Sequence, residues 1–290
     1  MKKKISAILF GLLFLVGFGI LVYPTVSNQW NTYRQSQLIS NYQSVVQDMK
    51  PEDFTQEWER AEAFNATITQ NNLYSDVFGE STTDLQSTEY WKVLNEAGDG
   101  IMGYLSIPKI NIKLAIYHGT ADDVLQTGVG HLNGTKLPIG GESTHCVVAA
   151  HRGLPSAKLF TDIDQLRNGD KFYIHVLDQI LAYEVDQILV VEPEDTAALA
   201  VEEGEDLVTL LTCTPYGVNT QRLLVRGHRV DYVADEVAAE QTPLSGISLH
   251  TNYLLWVIVG ILITGVFILI LFIREKRFRK KAAREKEAEE

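Results

Sequence analysis

Leu207-Val208-Thr209-Leu210-Leu211-Thr212-Cys213-Thr214-Pro215-Tyr216-Gly217-Val218-Asn219-Thr220-Gln221-Arg222-Leu223-Leu224-Val225 is the stretch that decides the fold. Two runs rich in Leu and Val flank a connection that holds Pro215, Gly217 and Asn219. Such a connection breaks regular structure, so the stretch reads as two short strands around a turn. The same pattern recurs upstream at 102–107, 114–117, 146–150, 171–176 and 180–191, and the second run continues to 230. Gly, Pro, Asn and Asp separate these segments. Several short strands with turn signals and few long helices predict a mainly β domain, a barrel or a sandwich, over about 100–232. Residues 196–201 read as a short helix in the last crossover.

Three residues at the ends of these runs carry chemistry. Cys213 closes the run 207–212, His151 closes the run 146–150, and Arg222 opens the last run nine residues after Cys213. A strand fixes a side chain, and a strand end beside a loop leaves it open to substrate. A thiolate is the attacking form of cysteine, and a neighbouring base or a lowered pKa must supply it. Histidine titrates near neutral pH and can also protonate a leaving amine. A guanidinium keeps its charge and offers forked donors to a developing oxyanion. Spacing alone leaves a structural reading of each residue open. The second cysteine, Cys146, lies inside a strand-like run and reads as a core thiol, with a disulfide as the minor reading. His118, His131, His145, His175 and His228 read as packing or hydrogen-bonding residues. Two cysteines 67 positions apart lack zinc-ligand spacing, so no zinc site is expected.

Outward from this core the composition changes. Residues 5–23 form an uncharged apolar run of 19 residues, and residues 253–273 a second of 21. About 20 apolar residues span a bilayer core, so both are expected to be transmembrane helices. The first is longer than a signal-peptide core and lacks a clean cleavage site, which favours an uncleaved anchor. Lys2 to Lys4 precede the first run, and Arg274, Lys276, Arg277, Arg279, Lys280 and Lys281 follow the second. Basic flanks stay on the cytoplasmic side. The expected arrangement is therefore a cytoplasmic start at 1–4, a span at 5–23, an outer segment at 24–252, a span at 253–273 and a basic cytoplasmic tail at 274–290. With the tails set aside, 14 basic and 32 acidic residues remain, a net charge of −18. That excludes a nucleic-acid partner and suits a soluble ectodomain. Within 24–99, Leu38, Tyr42, Val45, Val46 and Met49 repeat with helical spacing, and Trp58, Ala61 and Phe64 form a second helical face after Pro51. Residues 71–79 read as a polar loop with two aromatics. Residues 233–252 read as an acidic linker.

Thr209-Leu210-Leu211-Thr212-Cys213 matches the pattern TLxTC of the sortases, and the continuation through Gly227 resembles the class C, pilin-polymerising members. Ala150-His151-Arg152-Gly153-Leu154-Pro155 resembles their histidine motif, and segments 117–120, 130–132 and 137–141 also look like the family. The likeness covers about 30–232 and implies a closed sortase-type β-barrel with N-terminal helices and a lid loop, flanked by two transmembrane helices. It implies Cys213 as nucleophile, His151 as acid/base and Arg222 as oxyanion donor, with Arg226 facing elsewhere. It implies a membrane enzyme of a Gram-positive bacterium with its catalytic domain outside, working without metal or organic cofactor. The reaction would cleave an LPxTG-type sorting signal between Thr and Gly through a thioester and pass the acyl group to a lysine amine of another pilin. A wall-anchoring sortase, a cysteine protease and a non-enzymatic adhesin or assembly factor are the rival readings. Class C sortases carry an Asp-Pro-aromatic lid over the cysteine. Here Asp76-Val77-Phe78 takes that place, Val77 standing where the family has proline, with Asp76 expected to pair with Arg222 and Phe78 to cover the thiol.

Overall fold

The computed structural model describes residues 2–69 and 86–234 and the isolated positions 260, 265, 274 and 277, with side chains from residue 11 onward. The candidate lid residues Asp76 and Phe78, and the second apolar run apart from Gly260 and Gly265, therefore lie outside the described residues.

Among the described residues, four helices precede or interrupt eight strands. The helices are α1 (Lys2–Asp48), α2 (Pro51–Thr67), α3 (Glu89–Lys92) and α4 (Asp122–Thr127). The strands are β1 (Ile101–Ile107), β2 (Ile112–His118), β3 (Val129–His131), β4 (Thr144–Ala149), β5 (Lys171–Val176), β6 (Gln179–Val191), β7 (Asp206–Thr214) and β8 (Gln221–Val230). They close into a barrel in the order β1-β2-β3-β4-β7-β8-β6-β5. The β2–β3 and β4–β7 pairs are parallel, and the other pairs are antiparallel. Closure leaves no strand edge exposed to other chains.

Alternation along each strand sorts side chains inward or outward. All eight strands feed one interior cluster, for example Leu105, Ile116, Val129, Val148, Ile174, Tyr183, Leu210 and Val225. The opposite face of β4, β7 and β8 carries Val147, Ala149, Leu211 and Leu224, which pack with Leu125 of α4 and with Leu199. Leu199 belongs to a short 3-10 turn, Ala197–Leu199, in the β6–β7 crossover where the sequence predicts a helix.

The N-terminal helices hold the barrel from outside. On α1, Ile39 and Tyr42 are buried against Tyr104 and Ala115, with Leu38 and Val46 beside them. Gln35 accepts the Ala115 N–H at 2.8 Å and donates to the Thr127 carbonyl at 2.8 Å, so α1 is tied to β2 and to the end of α4. On α2, Ala61 is buried and Trp58 and Phe64 pack beside it, the face that the spacing predicts.

Two features differ from the sequence reading. The first helix does not stop at Tyr23. It runs through Pro24 to Asp48, since one missing N–H costs a single intrahelical bond and the turns on either side persist. Its apolar part, in the segment Gly11–Asp48, is the one helix among the described residues long and apolar enough to cross a membrane. The chain divides at this helix: the barrel lies in the unit Ser27–Pro243, and the apolar beginning of α1 belongs to the other unit. The second difference is β3, which the strand pattern does not reveal. It has three residues, and its central Gly130 lies so close to Gly119 that an added Cβ would sit 2.3 Å from the Gly119 carbonyl oxygen.

Candidate active site

Strand register brings the three candidate residues together. In the β7–β8 hairpin, Cys213 is the direct partner of Arg222. Directly opposed residues of an antiparallel pair share a face, with Cβ atoms about 5 Å apart. On the other side of β7, the parallel register pairs Ala149 with Leu211. The Ala150 N–H donates to the Leu211 carbonyl at 3.2 Å, and the Thr212 hydroxyl donates to the Ala150 carbonyl at 2.7 Å. These two bonds extend the β4–β7 alignment to Ala150 beside Thr212, and the residues that follow these two are His151 and Cys213. Thr212, fully buried, pins the residues that precede both His151 and Cys213. The result is a row across β4, β7 and β8: His151, Cys213, Arg222.

All three belong to the outward set, continuing Ala149, Leu211 and Leu224. Cys213 and Arg222 are each 7% exposed, embedded in the wall yet open at its rim, while His151 is partly exposed. The Arg222 Nη1 donates to the carbonyls of Asn219 (3.1 Å) and Gln221 (3.0 Å), which fixes the guanidinium plane beside its partner. Burial pushes the pKa of His151 below the usual imidazole range, and the negative charge of Asp122, at the start of α4, pulls it partly back. A neutral imidazole at physiological pH can take a proton from a thiol. His151's own backbone is anchored, because its carbonyl accepts the Phe160 N–H at 3.2 Å.

The remaining sequence candidates fall elsewhere. Cys146 faces the barrel interior, and burial raises its thiol pKa far above the ordinary value, with Asp206 adding to the shift. It forms no disulfide with Cys213. His131 takes a hydrogen bond from Tyr90 (2.8 Å) and gives one to the Lys136 carbonyl (2.9 Å), His145 bridges the Ala200 carbonyl and the Thr209 hydroxyl (both 2.8 Å), and His175 stacks on Tyr104. Arg226 does not face elsewhere. It sits on the outward face like Arg222, opposite Thr209, because four residues along a strand restore the same side. Asp186 (2.8 and 3.1 Å) and Glu202 (2.5 Å) hold it there. Sequence reading missed Thr212 and Asp122 as parts of the site. Thr212 stood inside the quoted motif, but its partner lies 62 residues away, and nothing near Asp122 marks it. Among the described residues, no cluster of three or more His, Cys, Asp or Glu is placed to hold a metal ion.

The chain is similar to several known proteins. The family model for the sortase domain matches residues 105–230. Sortase D of Bacillus subtilis is 30% identical over 131 residues, 44% of this chain and 63% of that protein. The match thus spans less than two thirds of the length of this curated relative. Sortase C-1 of Streptococcus pneumoniae is 46% identical, covers 68% of this chain and 100% of the solved chain, and superposes with a TM-score of 0.64. The solved structure titled pilus-related sortase C of group B Streptococcus is 41% identical, covers 67% of this chain and 97% of its own, and gives 0.62.

Proposed function

We propose, from the premise that the chain belongs to the sortase family of cysteine transpeptidases, that Cys213, His151 and Arg222 are its catalytic residues and that its substrates are pilins. What supports the site is the register that makes Cys213 and Arg222 direct partners, and the bonds that hold Ala150 and Thr212, the residues before His151 and Cys213, together. His151 accepts the thiol proton. The Cys213 sulfur attacks the carbonyl carbon between Thr and Gly of an LPxTG-type sorting signal. Negative charge develops on that carbonyl oxygen, and the Arg222 guanidinium faces it with donors already oriented by the Asn219 and Gln221 carbonyls. The His151 imidazolium returns its proton to the departing glycine amine, which leaves a thioester on Cys213. A lysine amine of the next pilin gives a proton to His151 as it attacks the thioester; the C–S bond breaks as the isopeptide bond forms, and the leaving Cys213 thiolate takes that proton back from His151.

The pilin reading rests on the likeness to sortase C structures, one of them titled pilus-related. The apolar start of α1 suits a membrane anchor. The proposal includes the second span at 253–273 and an outward-facing catalytic domain in a Gram-positive envelope. Incubating the ectodomain with candidate pilins, followed by mass spectrometry, tests it. Lysine isopeptide links between pilins support the reading. Transfer only to a peptidoglycan-type amine would assign wall anchoring, and products of water alone would assign a protease.

A further inference from the structure

We propose that Arg152 is a positioning residue that clasps the loop after β4 to the end of β7 and so sets the spacing between His151 and Cys213. The proposal rests on the reading of those two residues as base and nucleophile. Arg152 follows His151 directly, and Thr214 follows Cys213 directly. The Arg152 Nη1 donates to the Thr214 hydroxyl at 3.3 Å, so one bond joins the two neighbours of the reacting pair. The Nη2 pairs with the carboxylate of Asp164, in the 3-10 turn Ile163–Gln165, and ties the same guanidinium to the far side of the loop. Its carbon lies 5.9 Å from the centroid of the Tyr216 ring, on the β7–β8 loop. Tyr216 also rests on Gly153, where an added Cβ would lie 3.2 Å from the ring and where φ is +78°. Two consecutive residues after His151 therefore seat the loop that follows Cys213.

Stability alone does not explain this arrangement. The Arg152 side chain is 8% exposed, and its Nε is buried with no hydrogen-bond partner among the described residues. A buried charged group with an unused donor costs free energy, and a buried ion pair is weak evidence for stabilisation. A planar fork that reaches two partners in fixed directions explains why arginine stands here. Proton transfer needs the base within about 3 Å of the thiol, and a misplacement of about 1 Å can cost about 10²-fold in rate.

The experiment compares Arg152→Lys, Arg152→Ala and Asp164→Asn with the wild type in two measurements. One is the pH profile of Cys213 alkylation by iodoacetamide, which needs no substrate. The other is turnover of a sorting peptide. Lysine keeps the charge and loses the fork. If Arg152 acts through geometry, Arg152→Lys resembles Arg152→Ala: in both, the midpoint of the alkylation profile moves away from the wild-type value by the same amount. The same variant loses about tenfold or more in kcat, with KM changed less than threefold. Asp164→Asn moves the midpoint in the same direction by a smaller amount, and Thr214→Val does the same should either Arg152 variant fail to fold. Wild-type profiles in folded Arg152→Lys, or in both Asp164→Asn and Thr214→Val, would overturn the clasp, as would full rescue by lysine, which would assign a role to charge alone. Because alkylation reads the thiol without turnover, a wild type that fails to transfer peptide would count against the functional reading and leave the clasp measurable.

Discussion

The outer face of β4, β7 and β8 carries two rows that share a histidine and an arginine. At the open end stand His151, Cys213 and Arg222. Toward the other end stand Thr209 and Arg226, direct partners, with His145, which pairs with Leu207, reaching Thr209 through its Nε2 at 2.8 Å. The second row is closed. His145 and Thr209 are buried, the imidazole is spent on the Ala200 carbonyl and the Thr209 hydroxyl, and Asp186 and Glu202 neutralise Arg226. In the first row Arg222 donates to the backbone carbonyls of Asn219 and Gln221, the histidine is partly exposed, and a thiol stands where the other row has a hydroxyl. The same residue types on the same strands thus serve as structure where carboxylates and loops close over them. They offer chemistry where the strands end.

The largest expected effect separates the two cysteines. Cys213→Ala should abolish thioester formation with the fold retained. Cys146→Ala should keep acyl transfer and lose about 1–2 kcal/mol of stability through a small cavity in the barrel. Intact-mass detection of the acyl-enzyme and denaturant midpoints read these outcomes, and an active Cys213→Ala would break the comparison. Next come the two arginines. Arg222→Lys should lower kcat/KM by about 10²-fold or more, the scale of one lost oxyanion donor. Arg226→Lys should leave turnover within about threefold and lower stability by about 1 kcal/mol, as its fork to Asp186 opens. Steady-state assays of a sorting peptide decide it, and equal losses in both variants would mean that the rows do not differ in role.

A smaller effect concerns Asp76 and Phe78, proposed as a lid on sequence resemblance alone. Asp76→Ala combined with Phe78→Ala should speed labelling of Cys213 by a small thiol reagent severalfold, since a closed population slows access. Equal labelling rates in two folded proteins would remove the lid from the account. The smallest effect is electrostatic. Burial lowers the pKa of His151, so the neutral base persists below the ordinary imidazole value of about 6.5 and the acid limb of kcat/KM should lie below that pH. Asp122 favours the imidazolium. Asp122→Asn therefore lowers the His151 pKa further and should shift the acid limb to lower pH by a few tenths of a unit. A shift to higher pH would contradict the assigned direction.

Much of the barrel is legible in the sequence because its strands are runs of Val, Ile and Leu punctuated by Gly, Pro and Asn. Strand β3 escapes that reading: three residues with a central glycine carry no period. The passage of α1 through Pro24 also escapes it, since a proline marks a break that neighbouring turns can bridge. In the site, Cys213 and Arg222 are legible from motif and spacing, and the hairpin register then makes them partners. The neighbours that set their geometry are not legible. Thr212 reaches Ala150, and Arg152 reaches Asp164 and Thr214, through contacts that exist only after β4 and β7 pair. Arg226 shows the converse limit, as strand alternation places it on the same face as Arg222 and only tertiary ion pairs separate their roles.

The most direct measurement is to quench the ectodomain in acid during turnover of an LPxTG-type peptide and map the acyl group by peptide mass spectrometry. The account predicts a thioester on Cys213 that disappears when a lysine amine of a pilin is added, with the acyl group recovered on that lysine. An acyl group on Cys146, or transfer that proceeds with Cys213 unmodified, would contradict it.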